Sequence, residues 1–437
     1  MKRTTLLAIA LLIVMPIIPG LTQAQDLKKK AEPLIEDVEE EMIRWRRHLH
    51  EHPELSNREE ETAAYIADRL REMGIDVQEN IARHGVVGTL KGGKPGRVVG
   101  LRADIDALPV KEMTDVPFKS TAVAEFNGQE TGVMHACGHD AHMAILLATA
   151  KVLSEMKKDI PGTVVFVFQP AEEGPPPGEE GGASLMIKEG LLDGPDAPEV
   201  MFGLHVWPEP PGQLSYRSEG TMAASDRLVI KITGKQTHGS SPWAGIDPVI
   251  VAGQVMEAVQ MIPSRQLDVT KAPAVVSIGR INGGIRFNII PDEVEMQGTI
   301  RTFDSEMRED LLMRIRRTAE KTAEAAGATA EVSIQNMAPV TYNDPALVQH
   351  MLPTLEWAAN ENQVTETPLI MGAEDFAFFQ EKIPGFYFFL GVNKEGADKN
   401  TVPRNHSPYF YVNEDALLTG VRAMTGMALD YLKSQDY

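Results

Sequence analysis

The sequence contains very little cysteine and no excess of positive charge. A single cysteine among 437 residues cannot form an intramolecular disulfide, and a chain of this length can bury enough apolar surface without one. The 42 Lys and Arg residues are outnumbered by 62 Asp and Glu residues, which gives a net charge of −20. Because such a surface repels phosphate backbones, we expect no nucleic-acid partner. No internal repeat or low-complexity tract is present.

The sequence also lacks a long uninterrupted apolar run near its start. The run at residues 6–18 follows Lys2 and Arg3, is broken by Pro16, and ends before small residues that lead to Ala24. It is shorter than the roughly 20 residues that a membrane-spanning helix needs. This layout is typical of a secretory signal peptide over residues 1–24. We therefore expect an exported protein, periplasmic or secreted, that has no membrane association after cleavage.

Continuous apolar runs predict the central sheet. Strands are expected at residues 98–101, 163–168, 200–204 and 386–392, and helices at 32–51, 58–73 and 141–156. Apolar residues at successive positions, rather than alternating ones, are typical of strands that are buried on both faces. With helices between them, they predict an α/β domain with a largely parallel sheet.

The middle of the chain has a different pattern. Strands are expected at 226–232, 274–280, 293–302 and 329–334, with helices at 248–261 and 305–326. A β-α-β-β-α-β order is that of a ferredoxin-like α+β unit. We predict that residues 223–337 form a domain inserted into the first one, which is made of residues 25–222 and 338–437.

The lone cysteine, Cys137, lies in the string MHACGHDAH, where His135, His139, Asp140 and His142 surround it. Thiolate and imidazole are preferred ligands of zinc-like metals. A lone thiol among histidines can be a metal ligand, a catalytic nucleophile or a small buried hydrophobe. The position just before a predicted helix favours the thiolate form.

Polar residues follow several of the predicted strands. Asp106 follows the first run, Glu172 and Glu173 follow the second, and His205 follows the third. Ligands of open α/β sheets bind beyond the carboxyl ends of strands, so these residues are expected to share one crevice. Taken singly, each also has an ordinary structural interpretation. A Glu pair is commonly a solvated loop, and a histidine in an apolar strand is commonly part of the core.

Two further histidines lie in turn-rich segments, His238 in THGSSPW and His406 in NHSPYF. Turn chemistry alone would explain either of them. Together with the other motifs, however, they complete a pattern that resembles the amidohydrolase branch of the M20 metallopeptidases, which contains hippurate hydrolases, N-acyl-amino-acid amidohydrolases and auxin-conjugate hydrolases. The motifs appear in the family's order and run to the C-terminal region: ADIDALP, MHACGHDAH, QPAEEG, GLHVWP, THGSSPW, FNIIPDEVEMQGTIRTF, MGAEDFAFF and NHSP.

The resemblance implies a zinc-peptidase-like catalytic domain with an inserted lid that also mediates a homodimer. It implies a site for two divalent ions (zinc, manganese, cobalt or nickel), whose ligands are Cys137, His139, Glu173, His205 and His406. It makes Glu172 the general base, with Asp106 orienting a ligand. It makes His238, Asn288 and Arg301 substrate contacts, with His238 also stabilising the oxyanion.

The expected function is hydrolysis of the amide bond of an N-acyl amino acid or a similar small amide. The alternatives are a dipeptidase or carboxypeptidase acting on short peptides, a cysteine hydrolase using Cys137, and a metal- or amino-acid-binding protein without catalysis. Glu172 argues against the last of these, since a binding protein needs no general base.

Overall fold

The computed structural model describes residues 19–360, 362–398 and 401–434. The strands of this part are β1 (Asp76–Ile81), β2 (Gly85–Lys91), β3 (Lys94–Asp104), β4 (Val123–Phe126), β5 (Gln129–Gly132), β6 (Pro161–Gln169), β7 (Val200–Trp207), β8 (Leu214–Tyr216), β9 (Glu219–Met222), β10 (Ala224–Thr233), β11 (Thr237–His238), β12 (Ala274–Gly283), β13 (Ile289–Ile290), β14 (Glu293–Thr302), β15 (Thr329–Ala338), β16 (Thr341–Asn343), β17 (Val364–Glu366) and β18 (Gly385–Gly391). Its α-helices are α1 (Pro19–Asp37), α2 (Glu39–Glu51), α3 (Glu60–Glu72), α4 (His139–Glu155), α5 (Gly182–Lys188), α6 (Pro248–Arg265), α7 (Ser305–Ala325), α8 (Pro345–Ala359), α9 (Ala377–Gln380) and α10 (Leu417–Lys433).

The central sheet has eight strands in the order β1-β2-β6-β3-β7-β18-β8-β17. Its middle strands β6, β3, β7 and β18 are parallel, while β1 and β2 are antiparallel additions at one edge. Strands β6 and β18 are buried along nearly their whole length, as continuous apolar runs predict. The helices α4 and α10 pack against the sheet and against each other. The prediction of an α/β fold with a mostly parallel sheet is confirmed.

The N-terminal helix prediction needs correction. The segment expected to be one helix over 32–51 forms two, because a turn at Val38 separates α1 from α2. Ile35 before the turn and Met42 after it are both buried. Most of the predicted signal segment lies outside the described residues, and α1 begins at Pro19, within its last part. In the described part of the chain, no helix is both apolar enough and long enough to span a bilayer.

The second sheet contains four antiparallel strands in the order β12-β14-β10-β15. Helices α6 and α7 pack side by side and contact this sheet. Alternating burial along β10 directs Leu228, Ile230 and Ile232 into a hydrophobic cluster separate from that of the large sheet. The two-stranded pair β11 and β13 carries His238 beside this unit. Its role as a lid and a dimerisation domain stays a prediction.

Candidate metal centre

Three neighbouring parallel strands end at the same edge of the central sheet and bring the polar motifs together. Strand β3 ends at Asp104, β6 ends at Gln169, and β7 carries His205 two residues before its end. Helix α4 begins at His139 directly above them. The crevice expected from the sequence therefore exists, as the parallel arrangement requires.

Cys137 lies in the loop just before α4, separated from His139 by a glycine that the packing requires. Gly138 has a φ of 94°, and a Cβ there would lie 2.3 Å from Cγ2 of Val206. The expectation that the helix start favours a thiolate is not supported. Burial, reinforced by the charges of Glu173 and Glu172, raises the pKa of the Cys137 thiol well above its ordinary value. A cation beside the sulfur would be needed to reverse this.

The five predicted ligand residues form two groups that share Cys137. Single donor atoms of Cys137, His139 and His205 lie within 4.8 Å of one another, and so do those of Cys137, Glu173 and His406. The sulfur of Cys137 lies 3.3 Å from Nε2 of His205. Nδ1 of His205 donates to the carbonyl oxygen of Val206 at 2.7 Å. Nε2 therefore carries no hydrogen, and its lone pair is available on the side of the sulfur.

His139 is oriented in the same way by Asp106. Its Nδ1 donates to the carbonyl oxygen of Asp106 at 2.7 Å, while its Nε2 is buried and has no hydrogen-bond partner among the described residues. Burial lowers the pKa of His139, but the charges of Asp104, Asp106 and Glu173 outweigh it and raise the pKa to about 10. The carboxylates around this imidazole therefore favour a positive charge at its position.

Glu172 and Glu173 follow β6 after a sharp turn at Ala171, whose φ is 52°. Their backbone N–H groups donate to the two carboxylate oxygens of Asp106, each at 3.1 Å. Nε2 of His406 lies 3.0 Å from Oε1 of Glu173, whereas Oε2 of Glu172 lies 3.8 Å from Nε2 of His139. Burial, with the charges of Glu374 and Glu173, raises the pKa of Glu172 well above its usual range.

His406 reaches the cluster from a distant loop. Its backbone N–H donates to the carbonyl oxygen of Ala136 at 2.8 Å. The amide of Asn405 donates to the carbonyl oxygens of Cys137 and Val206 at 3.1 and 3.3 Å. Asn405 thus fixes the loop, a role that the sequence analysis missed. The only signal was its position directly before His406.

Beneath the cluster lies a buried ionic network that the sequence analysis also missed. Arg102, on β3, donates to Asp104 at 2.8 Å and to Glu374 and Asp375 at 2.9 Å each. Oxygens of Asp104, Glu172 and Glu374 lie within 4.8 Å of one another. A charged residue in the middle of an apolar strand was the available signal, because buried charges require partners.

The three other polar residues of MHACGHDAH are buried at the cluster, and donor atoms of His142, Asp104 and His139 also lie within 4.8 Å of one another. Both nitrogens of His142 are engaged: Nδ1 donates to Asp104 at 2.6 Å, and Nε2 accepts from the Val206 N–H at 2.8 Å. Asp140 accepts from Arg46 at 2.8 Å. Burial lowers the pKa of His135 to about 3, so this imidazole is neutral.

The three predicted substrate contacts lie elsewhere. His238 is exposed on β11, and its Nδ1 accepts a hydrogen bond from the Ser240 N–H at 3.0 Å. Arg301 donates to the hydroxyl of Ser225, and the backbone oxygen of Asn288 accepts from the Gly239 N–H at 2.9 Å. No hydrogen bond or ion pair joins these three residues to the cluster within the described chain. The structure therefore groups the ligand residues with Glu172 and Asp106, but not with His238, Asn288 or Arg301.

The chain resembles known proteins in both sequence and fold. A family model described as Peptidase family M20/M25/M40 matches residues 100–430. Thermostable carboxypeptidase 2 of Saccharolobus solfataricus is 40% identical over 93% of this chain and 99% of its own length. N-acetylcysteine deacetylase of Bacillus subtilis is 38% identical over 90% and 97%. The crystal structure of a dinuclear metal-binding M20 peptidase from Bacillus subtilis superposes with a TM-score of 0.76, at 36% identity, over 91% of this chain and 99% of that one.

Proposed function

Because the chain belongs to peptidase family M20/M25/M40, we propose that its substrates are N-acyl amino acids or similar small amides. It is a metal-dependent hydrolase of amide bonds. The observation that carries the proposal is the pair of ligand groups that share Cys137, with the carboxyl group of Glu172 beside them. A relative of similar length that is named as a deacetylase of N-acetylcysteine supports the substrate class.

The donor set fits two divalent ions. One thiol, three imidazoles and one carboxylate converge, and the Nε2 atom of His139 is buried without a hydrogen-bond partner among the described residues. We assign the ligand role to Cys137, His139, Glu173, His205 and His406. Such ions supply Lewis-acid polarisation of an amide carbonyl and make water more acidic. Zinc, manganese, cobalt and nickel all suit these ligands.

Glu172 is proposed as the general base and then the general acid. It takes a proton from the attacking water and passes it to the nitrogen of the leaving amine, so no covalent intermediate is needed. Its backbone is held by Asp106, and its side chain is mostly buried beside His139. Rigid placement of this kind keeps the carboxyl group within reach of the attacking water and of the leaving nitrogen.

We assign the remaining substrate contacts to the lid. His238, Asn288 and Arg301 offer an imidazole, an amide and a guanidinium to the carboxylate and the oxyanion of the substrate. Since His238 is exposed and does not contact the cluster of its own chain, we propose that it acts in the site of a second copy, in a homodimer formed through the lid. Export of the chain, to the periplasm or the medium, is part of the same proposal and rests on residues 1–24.

Peptide hydrolysis is the second candidate, because the thermostable carboxypeptidase is 40% identical to this chain. An assay of purified protein on N-acetyl and N-benzoyl amino acids beside dipeptides separates the two. We expect turnover of the acyl amino acids, loss of turnover with a chelator, and recovery with one of the four metals. Turnover of dipeptides alone overturns the substrate class, and full activity in the presence of chelator overturns the metal-dependent mechanism.

A further inference from the structure

An apolar pocket of about 290 Å³ opens beside the ligand Glu173. Its walls include Leu55, Ala107, Leu108, Pro109 and Phe126. This volume is at the lower end of the roughly 300–1,000 Å³ typical of small-molecule sites, so the pocket holds one substituent rather than a whole substrate. None of these wall residues was among the predicted site residues, although Ala107, Leu108 and Pro109 lie in the ADIDALP motif.

One wall is the hairpin of β4 and β5. Its turn residues Asn127 and Gly128 have φ angles of 53° and 76°. Positive φ at both central positions is the requirement of a type I′ turn, which fixes the register of a two-residue hairpin. The register pairs Phe126 with Gln129 and holds the Phe126 ring at the pocket, where it is 39% exposed. Because Phe126 and the ligand Glu173 line the same pocket, this ring can contact a substrate that is bound at the cluster.

The base of the pocket is rigid. Leu55 and Ala107 form a parallel bridge between their backbones, and both are buried in a small cluster with Val133. Another wall is the loop at residues 174–182, of which Gly174 and Pro176 line the pocket. The cavity is therefore formed by the fold itself and needs no rearrangement of these residues.

The charges around the pocket decide which part of a substrate it can accept. Among the described residues that line the pocket, Arg58 is the only cationic one, and its guanidinium is paired with Glu179 at 2.7 Å. The lining also contains Glu125 and Glu173. With its one cation neutralised and two carboxylates present, the pocket disfavours the free carboxylate of an amino acid. An uncharged apolar group gains from burial against Leu108 and Phe126.

We propose that this pocket is the acyl-group subsite and that it selects N-acyl amino acids with an apolar acyl chain or ring over N-acetyl amino acids. The inference rests on the proposed function, because the pocket can bind the acyl group only if the amide bond is cleaved beside Glu173. The amino acid moiety then lies outside this pocket.

Two substrate series test the proposal on the purified metal-loaded enzyme. In the first, the amino acid is alanine and the acyl group is acetyl, butanoyl, octanoyl or benzoyl. In the second, the acyl group is acetyl and the amino acid is alanine, leucine or phenylalanine. The readout is the ratio of kcat/KM between the large and the small member of each series. A general loss of active enzyme lowers both values by the same factor and so leaves this ratio unchanged.

For Phe126→Ala we expect the octanoyl-to-acetyl and benzoyl-to-acetyl ratios to fall about tenfold or more, as removal of several buried carbons from a hydrophobic pocket does. The matched control is Val123→Ala on the same hairpin, whose side chain is 66% exposed and does not line the pocket; its ratios should equal those of the wild type. The ratios in the amino acid series should not change in either variant.

The outcomes separate the two proposals. Unchanged acyl ratios in Phe126→Ala, or a change in the amino acid series instead, overturn the subsite while the proposed function stands. Failure of the wild-type enzyme to cleave any acyl amino acid, the acetyl ones included, overturns the proposed function and the subsite with it. Leu108→Trp provides a second variant that fills the pocket: it should lower the octanoyl ratio, and an unchanged ratio contradicts the assignment.

Discussion

The guanidinium of Arg102 donates a hydrogen bond to the carboxylate of Asp104 at 2.8 Å, and both side chains are fully buried. The same guanidinium donates to Glu374 and Asp375, so one cation contacts three carboxylates beneath the metal-ligand cluster. Burial raises the pKa of Asp104, but the charges of His139 and Arg102 and the hydrogen bond from His142 outweigh it and hold the pKa well below the ordinary value. The floor of the site is therefore an ionic layer rather than an apolar one.

Replacing Arg102 by Met should destabilise the protein severely. The change leaves three carboxylates buried without their cation, and removal of one partner of a buried pair costs about 3–5 kcal/mol. Urea unfolding, followed by circular dichroism, measures the change in unfolding free energy. The control is Arg71→Met, which removes an exposed ion pair with Glu79 and should change stability far less, because exposed pairs are screened by solvent. If the two substitutions lower the unfolding free energy equally, the buried network contributes no more to stability than an exposed ion pair does.

Asp106→Asn should weaken the site without unfolding the chain. The carboxylate of Asp106 accepts hydrogen bonds from the backbone N–H groups of Glu172 and Glu173 and from the hydroxyl of Ser56. An asparagine amide would point its NH₂ group at one of these donors. We expect a loss of about 10- to 100-fold in metal affinity or in kcat/KM, as for other residues that orient ligands.

Competition with a chelator, followed by metal analysis, gives the affinity of the Asp106→Asn variant. The control is Asp68→Asn on the exposed face of α3, where Asp68 lies 3.5 Å from Arg71. Wild-type metal affinity together with wild-type kcat/KM in Asp106→Asn would refute the orienting role.

The adjacent residues Glu172 and Glu173 should fail in different ways when each is changed to Gln. Glu172→Gln removes the proton carrier, and we expect kcat to fall by about 10²- to 10⁴-fold while the metal content stays at the wild-type level. Glu173→Gln removes a ligand, and we expect metal to be lost together with activity. Metal analysis and steady-state kinetics on the same samples distinguish the two. Substantial activity in Glu172→Gln would exclude it as the general base.

The sequence predicted several of the buried strands, but it missed strand β2 and helix α10, which are also mostly buried. Strands β6 and β18 are continuous apolar runs, and the structure places them within a few residues of the prediction. Strand β1 was missed because its residues alternate between exposed and half-buried, which leaves no apolar run. The short strands β8 and β17 were missed because three residues carry no detectable period.

The candidate site was predictable where strand ends define it and unpredictable where long-range contacts do. The positions of Glu173 and His205 follow from parallel neighbours in one sheet. The approach of Asn405 to the carbonyl oxygen of Cys137 joins residues 268 positions apart, and no local pattern indicates it. The pocket beside Phe126 likewise depends on how the hairpin folds over Leu108, which is a tertiary property.

The hydrogen bonds from Arg58 and Asn57 to Glu179, which anchor the loop at residues 174–182, should weaken in acid. Hydrogen bonds donated by Arg58 and Asn57 lower the pKa of Glu179 from the ordinary 4.5 to about 2. A carboxyl group whose pKa is lower in the folded protein stabilises the fold above its ordinary pKa, and this contribution disappears as the pH falls toward the folded value. The anchor is thus complete at neutral pH and weakens between about pH 4.5 and pH 2.

The measurement is the difference in unfolding free energy between the wild type and Glu179→Gln at a series of pH values, since other groups that titrate cancel in the difference. We expect the wild type to be the more stable at pH 7 and the difference to shrink steadily below pH 4.5. The control is Glu180→Gln, which removes the neighbouring exposed contact with Lys188. A difference for Glu179→Gln that is the same at pH 7 and pH 3 would contradict the anchor.

Because Pro176 of this loop lines the acyl pocket, the octanoyl-to-acetyl ratio of Glu179→Gln should fall at neutral pH, whereas that of Glu180→Gln should match the wild type.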